Sequence, residues 1–118
     1  MTKQDLINFC LSLPSVYEDY PFDSVKDGTE WAVMRHKKNK KSFALIYIRN
    51  DRLCVNLKCE PNEADFLRGI FCDVIPAYHM NKTHWNTVFT DGDVPDEEIK
   101  NMIIKSYNLI KPKETKRI

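Results

Sequence analysis

Between Pro76 and Val88 the chain reads PAYHMNKTHWNTV, which brings Tyr78, His79, Lys82, His84 and Trp85 within eight positions. Imidazole, phenol, ammonium and indole groups can ligate metal, move protons or meet phosphates and bases. His79 and His84 stand five residues apart, and Cys72 lies seven before His79. Imidazoles four apart share one face of a helix, and imidazoles five apart do not, so the spacing defines no metal site. Cys59 with His79 or His84 could form a thiol–imidazole pair. No GxSxG elbow, glycine-rich phosphate loop or HExxH accompanies them, and the chain holds only three glycines. A non-enzymatic protein with no catalytic residue, metal or cofactor is therefore expected. Activity at Cys59, His79 and His84 is the minor alternative.

The second chemistry-bearing run is RHKKNKK, Arg35 to Lys41. Net charge is only +1, yet residues 31–58 hold eight Lys and Arg against one acid, while residues 1–30 hold two against six. A near-neutral chain with its positive charge in one segment suits a focused anion-binding surface. The four cysteines form no CxxC pair, so reduced and mostly buried thiols are expected. No apolar run approaches the ~20 residues that span a membrane, and the N-terminus MTKQDLINFC carries Asp5 and lacks a signal-peptide core. A soluble, cytoplasmic, single domain over residues 1–118 follows, with 113–118 a frayed tail and nothing that sets an oligomeric state.

The elements that must position these residues are legible in part. Thr2 and Asp5 resemble a capping box, and Leu6, Phe9, Cys10 and Leu13 recur at helical spacing, which predicts a helix over Lys3–Leu13 before Pro14. PSVYEDYPFDSVKDGTE reads as a loop, with Tyr17, Tyr20 and Phe22 as a lid on the core. EWAVMRH, SFALIYIR and RLCVNLK read as three antiparallel strands. HKKNKK forms the first turn, and Asn50-Asp51, which tolerate positive φ, the second. Leu53, Val55 and Leu57 point to a packed face; Arg52, Cys54, Asn56 and Lys58 point to a wet one. EPNEADFLRG is a second helix that starts at Pro61. CDVIP and WNTVFT are further extended pieces. A last helix after Pro95 presents Ile99, Met102, Ile103, Ser106 and Ile110 on one side. The expected class is α+β, an antiparallel sheet flanked by helices in the order α-βββ-α-ββ-α.

In that order the motifs PF (Pro21-Phe22), LKCEPNEADFLR (Leu57–Arg68), IPAYHMNKTHWNTV (Ile75–Val88) and IIKSYNLI (Ile103–Ile110) resemble the MmcQ/YjbR family. The resemblance covers nearly the whole chain; YHMNKTHW together with SYNLI carries most of it. It implies a small α+β fold akin to the frataxin-like CyaY group and, through a double-wing architecture, DNA binding. It supplies no catalytic residues. Ala77 stands where a glycine is common before the Tyr-His pair, which tightens that turn.

The expected partner is DNA, met at its phosphates by a wing-like hairpin. Arg35, Lys37, Lys38, Lys40 and Lys41 would form the tip, extended by Lys58, Lys82 and His84. Lysines also keep hairpin tips solvated and discourage edge pairing, so the run alone does not prove a site. The alternative is a small-molecule or protein-binding module in which Tyr17, Tyr20, Phe22, Trp31, Tyr78 and Trp85 line a groove. Trp85 is expected to anchor the core at the start of its strand, and Ser106-Tyr107 to pack against the 76–88 stretch.

Overall fold

A computed structural model describes residues 1–22, 30–78 and 80–112. The expectations for His79, for the tail 113–118 and for the part of the loop at 23–29 lie outside them.

Helix α1 (Lys3–Leu11) begins on the capping box. The Thr2 hydroxyl accepts from the Asp5 N–H at 3.1 Å, and the Asp5 carboxylate accepts from the Thr2 N–H at 2.8 Å. The helix stops short of Leu13 because the residue before a proline is disfavoured in helical conformation. Next comes a strand that the loop expectation missed, β1 (Val16–Asp19), aligned from Val16 opposite His36 to Asp19 opposite Val33. Ser15 launches it from the left-handed region at φ 59, and the Ser15 carbonyl accepts from the Lys37 N–H at 2.8 Å.

Strands β2 (Ala32–His36), β3 (Ser42–Arg49) and β4 (Arg52–Lys58) form the expected meander. Asn50 and Asp51 have φ of 52 and 60 in the tight turn that closes the Arg49–Arg52 pair. Helix α2 (Pro61–Ile70) has proline in its first turn and buries Ala64 and Leu67. Then follow β5 (Val74–Pro76), β6 (Trp85–Phe89) and α3 (Asp96–Leu109), with three acids in the helix's first turn. The sheet has six strands in the order β1-β2-β3-β4-β6-β5, with every neighbouring pair antiparallel. Each of the expected strands is present, so β1 makes the observed order α-ββββ-α-ββ-α.

The three helices cover one face. Leu6, Cys10, Ala64, Leu67, Ile99 and Ile103 pack there against Met34, Ile46, Val55, Leu57 and Val88. Ser106 staples α3 to the sheet: its hydroxyl donates to the Phe43 carbonyl at 2.6 Å and accepts from the Lys58 N–H at 2.9 Å. Tyr107 contacts Phe43 and His36, so Ser106-Tyr107 packs on the hairpin end rather than on the 76–88 stretch. The face away from the helices is not uniformly wet. Val33, Leu45, Tyr47, Cys54, Asn56 and Thr87 are buried there, and Trp31 stacks on Tyr47 at 3.9 Å between ring centroids.

Candidate functional site

Antiparallel connections decide where the basic residues meet. Strand β2 ends at His36 and β3 begins at Ser42, so residues 37–41 form a tip at one end of the sheet. Strand β4 runs back to that end, where Leu57 lies opposite Ala44 and Lys58 is the strand's last residue. Strand β6 starts there too, with Trp85 opposite Lys58, and the connection before it carries Lys82 and His84. Lys37, Lys38, Lys40, Lys41, Lys58, Lys82 and His84 therefore share one end of the strands. Among the described residues none of these six lysines is in an ion pair. The four tip lysines and Lys82 are exposed, and Lys58 is half-buried.

The tip is held rather than loose. The Lys40 N–H donates to the His36 carbonyl at 2.8 Å, and Lys40 itself has φ 60. The Asn39 carboxamide accepts from the Lys41 N–H at 3.0 Å and donates to the Ile110 carbonyl at 3.0 Å, which ties the tip to the end of α3. Arg35 stands apart from the lysines. Its Nε donates to Asp19 at 2.9 Å and its Nη1 to the Lys40 carbonyl at 3.0 Å, so the missed strand β1 neutralises it and turns it to a structural use.

The acids lie mostly at the other end of the strands. Asp51 occupies the β3–β4 turn, and Asp91 and Asp93 the turn after β6, beside the acidic start of α3. Arg52 clasps that end, with Nη2 at 2.6 Å from Asp91 and 3.0 Å from Asp73 and the guanidinium 4.2 Å over the Phe89 ring. Hydrogen bonding to Arg52 holds the Asp91 carboxyl below its ordinary pKa. Of the acids near the basic end, Glu63 is bound by Lys105 at 2.7 Å and Asp65 by Arg68 at 3.3 Å, while Glu60 is exposed.

Arg68 is a positioning residue that the sequence did not single out. Its Nε donates to Asn86 at 2.6 Å, and its Nη2 to the carbonyls of Trp85, at 3.3 Å, and Lys82. It thereby shapes the connection that displays Lys82 and His84. A second support lies on the helix-free face, where the Asn56 carboxamide oxygen accepts from the hydroxyls of Tyr47 (2.8 Å) and Thr87 (2.6 Å). The Asn56 amide group donates to the Tyr78 carbonyl at 3.0 Å, which anchors the other end of the same connection.

The other sequence-level candidates are distributed differently. The Cys59 N–H donates to the His84 carbonyl at 2.8 Å, but the thiol lines a cavity of about 250 Å³ between α2 and α3. Burial pushes that thiol up to about 11, opposite to the depressed pKa of a reactive thiolate. Among the described residues no three His, Cys, Asp or Glu side chains gather as a metal site, and no helix is long and apolar enough to cross a membrane. The aromatic set divides. Phe22 and Tyr78 gather around the Trp31–Tyr47 stack, Tyr20 packs into the helix-side core, and Tyr17 and Trp85 sit on β1 and β6, separated by three strands. Trp85 is half-buried opposite Lys58 rather than central to the core.

The model of the YjbR family matches residues 11–109. The chain belongs to the YjbR family. YjbR of Escherichia coli K12 is 32% identical over 122 residues, covering 100% of this chain and 97% of that protein. YyaQ of Bacillus subtilis 168 is 31% identical and covers 94% of this chain and 99% of its own. A crystal structure from Pseudomonas syringae has a TM-score of 0.81 at 31% identity, covering 94% of this chain and 100% of that one. One from Deinococcus radiodurans has a TM-score of 0.81 at 36% identity, covering 95% and 80%. The resemblance read from PF, LKCEPNEADFLR, YHMNKTHW and SYNLI thus holds, and the α+β architecture of this YjbR chain is shared with these structures.

Proposed function

We propose that this YjbR protein is a non-enzymatic nucleic-acid-binding domain that meets the phosphates of duplex DNA with the basic end of its sheet. The observation that carries the reading is the convergence of six lysines, none of them in an ion pair among the described residues, from the β2–β3 tip, β4 and the β5–β6 connection, on one end of the strands. A clamped hairpin with four exposed lysines is suited to lie along a backbone as a wing does, and Lys58 and Lys82 extend the contact sideways. Arg35, bound to Asp19, is not counted in it. The raised thiol of Cys59 favours binding over nucleophilic chemistry.

Each phosphate neutralised on duplex DNA adds roughly −0.9 to the slope of log affinity against log salt, so six contacts give a slope of about −5. Changing Lys37, Lys38, Lys40 and Lys41 to Gln should bring it to about −2. A fluorescence-anisotropy titration of random-sequence duplex over a range of salt measures both. Affinity and slope left unchanged by the four substitutions, or by their Glu counterparts, reject the surface.

A further inference from the structure

His36 is placed unexpectedly for a member of a lysine-rich hairpin. Its side chain turns to the helix-covered side, is 2% exposed, and lies 4.3 Å from the Tyr107 ring centroid. Its Nε2 is 2.9 Å from the Tyr107 carbonyl oxygen. A carbonyl only accepts, so Nε2 carries a proton and Nδ1 of the neutral ring is left as an acceptor. No described residue bonds Nδ1, yet among the described residues no fully buried side-chain nitrogen or oxygen lacks a partner. Nδ1 is therefore not fully enclosed, and His36 lines a cavity of about 150 Å³ together with Ser15, Lys38, Tyr107 and Lys111.

The cavity is about five times the ~30 Å³ share of one liquid water and well below the ~300 Å³ of the smallest drug-sized pockets. It suits one phosphorus and its oxygens. Lys38 from the hairpin and Lys111 from beyond α3 bring two positive charges to it, and no acid lines it among the described residues. The groups that face His36 are Phe43 of β3, Tyr107 of α3 and Lys111 beyond it, Pro14 and Ser15 before β1, and Lys38. Burial, helped by the Lys111 charge and opposed by the bond to the Tyr107 carbonyl, holds the His36 pKa below its ordinary value and favours the neutral ring.

We propose that this cavity binds a phosphate monoester, with the two lysines on its oxygens and one proton shared between a phosphate oxygen and His36 Nδ1. The second ionisation of a phosphate monoester falls at about pH 6. Its monoanion can donate P–OH to a neutral Nδ1, and its dianion can accept from a protonated one. Sulfate and the internal diesters of a nucleic acid bring no such proton near neutrality. If the nucleic-acid reading holds, on which this version of the inference rests, the cavity takes the phosphorylated end of a strand while the remaining lysines hold the backbone. A free phosphate or a small phosphomonoester offers the same chemistry.

The test titrates inorganic phosphate, and separately sulfate at matched ionic strength, into labelled protein at about pH 6.5, with the His36 ring nitrogens followed by NMR. Phosphate should move Nδ1 saturably and bind about tenfold tighter than sulfate, the size of one charge-assisted hydrogen bond. The surface variant Lys38→Ala/Lys111→Ala, which leaves the His36–Tyr107 bond in place, should weaken phosphate by a similar factor. In the second arm, short duplexes with phosphorylated or hydroxyl ends are compared. A phosphorylated-end preference that the variant abolishes identifies the strand end as ligand; equal duplex affinities with phosphate still saturating identify a small phosphomonoester. Phosphate that leaves Nδ1 unmoved, or sulfate that binds equally well, overturns the inference even if duplexes bind. Phosphate binding with no duplex affinity overturns the nucleic-acid reading alone.

Discussion

Replacing Asn56 with Leu probes the hydrogen-bonded cluster that anchors the connection carrying Lys82. Asn56 is 0% exposed and its carboxamide serves Tyr47, Thr87 and the Tyr78 carbonyl at 2.8, 2.6 and 3.0 Å. Leucine has the same branching and fills the space, so a cavity is not the main cost. Tyr47 keeps a partner, because Thr87 Oγ1 lies 3.2 Å from its hydroxyl. The Thr87 hydroxyl proton loses its acceptor, and Tyr78 loses its bond from Asn56. The orphaned Thr87 proton costs about 1–3 kcal/mol and the lost, partly buried bond to Tyr78 about 1 kcal/mol. Burying the leucine methyls returns about 1 kcal/mol. The net loss is then about 2 kcal/mol, and with a urea slope of about 1–3 kcal/mol per molar the unfolding midpoint should fall by roughly 0.7–2 M. Tyr47→Phe, which spares the Asn56–Thr87 bond, should cost about half as much. An Asn56→Leu midpoint equal to the parent's, with an unchanged slope, would show that water already satisfies these groups and that the cluster anchors nothing.

Arg68→Ala should free the Lys82 carbonyl, leave the Trp85 carbonyl to the Ala77 N–H alone, speed amide exchange across residues 81–85 and reduce the magnitude of the duplex salt slope by about 1 through Lys82. Cys72 is exposed, whereas burial raises the Cys10 thiol to about 12 and those of Cys54 and Cys59 to about 11. Ellman's reagent at about pH 8 should therefore label Cys72 alone until the chain is unfolded. The same shift makes Cys59 contribute stability below about pH 9 that is lost as pH rises through about 11, measurable as a fall in Tm over that window. A methyl on Gly92 would sit 1.8 Å from Asp73 Oδ2, a carboxylate pinned by Arg52 and by the Asp93 N–H at 3.0 Å each; Gly92→Ala should cost about 1–3 kcal/mol in chemical unfolding. Since His36 is neutral when folded, stability should be full above about pH 6.5 and decline as pH falls through its lowered folded pKa; His36→Gln should flatten that part of the Tm profile.

Local chemistry explains what could be read beforehand. The Thr2–Asp5 box, the Asn50-Asp51 turn, Pro61 and the period-two run Leu53-Val55-Leu57 each declare their element within a few residues. Strand β1 gave no such signal. It has four residues, two of them acidic, lies between Pro14 and Pro21, and exists because β2 offers it an edge. The wet-face reading of Cys54 and Asn56 failed for a related reason: Trp31 and Tyr78, distant in sequence, bring rings and a carbonyl over that face. The lysine tip was visible as a charge run, but its alignment with Lys58 and Lys82 depends on strand order. Arg35 looked like one more cation of the tip, and only tertiary pairing shows it bound to Asp19. His36, within the same run, is set apart by the inward turn of its strand position.

Opposite charges at the two ends of the strands give this protein an electric dipole that its net charge of +1 and isoelectric point near 7.7 conceal. A polyanion's field turns such a particle before contact, so encounters begin lysine end first, with an advantage that fades over a Debye length of ~10 Å at 0.1 M salt. Once seated, each molecule would present its carboxylate-rich end to solvent, so a second molecule could stack on it only lysine end first, head to tail.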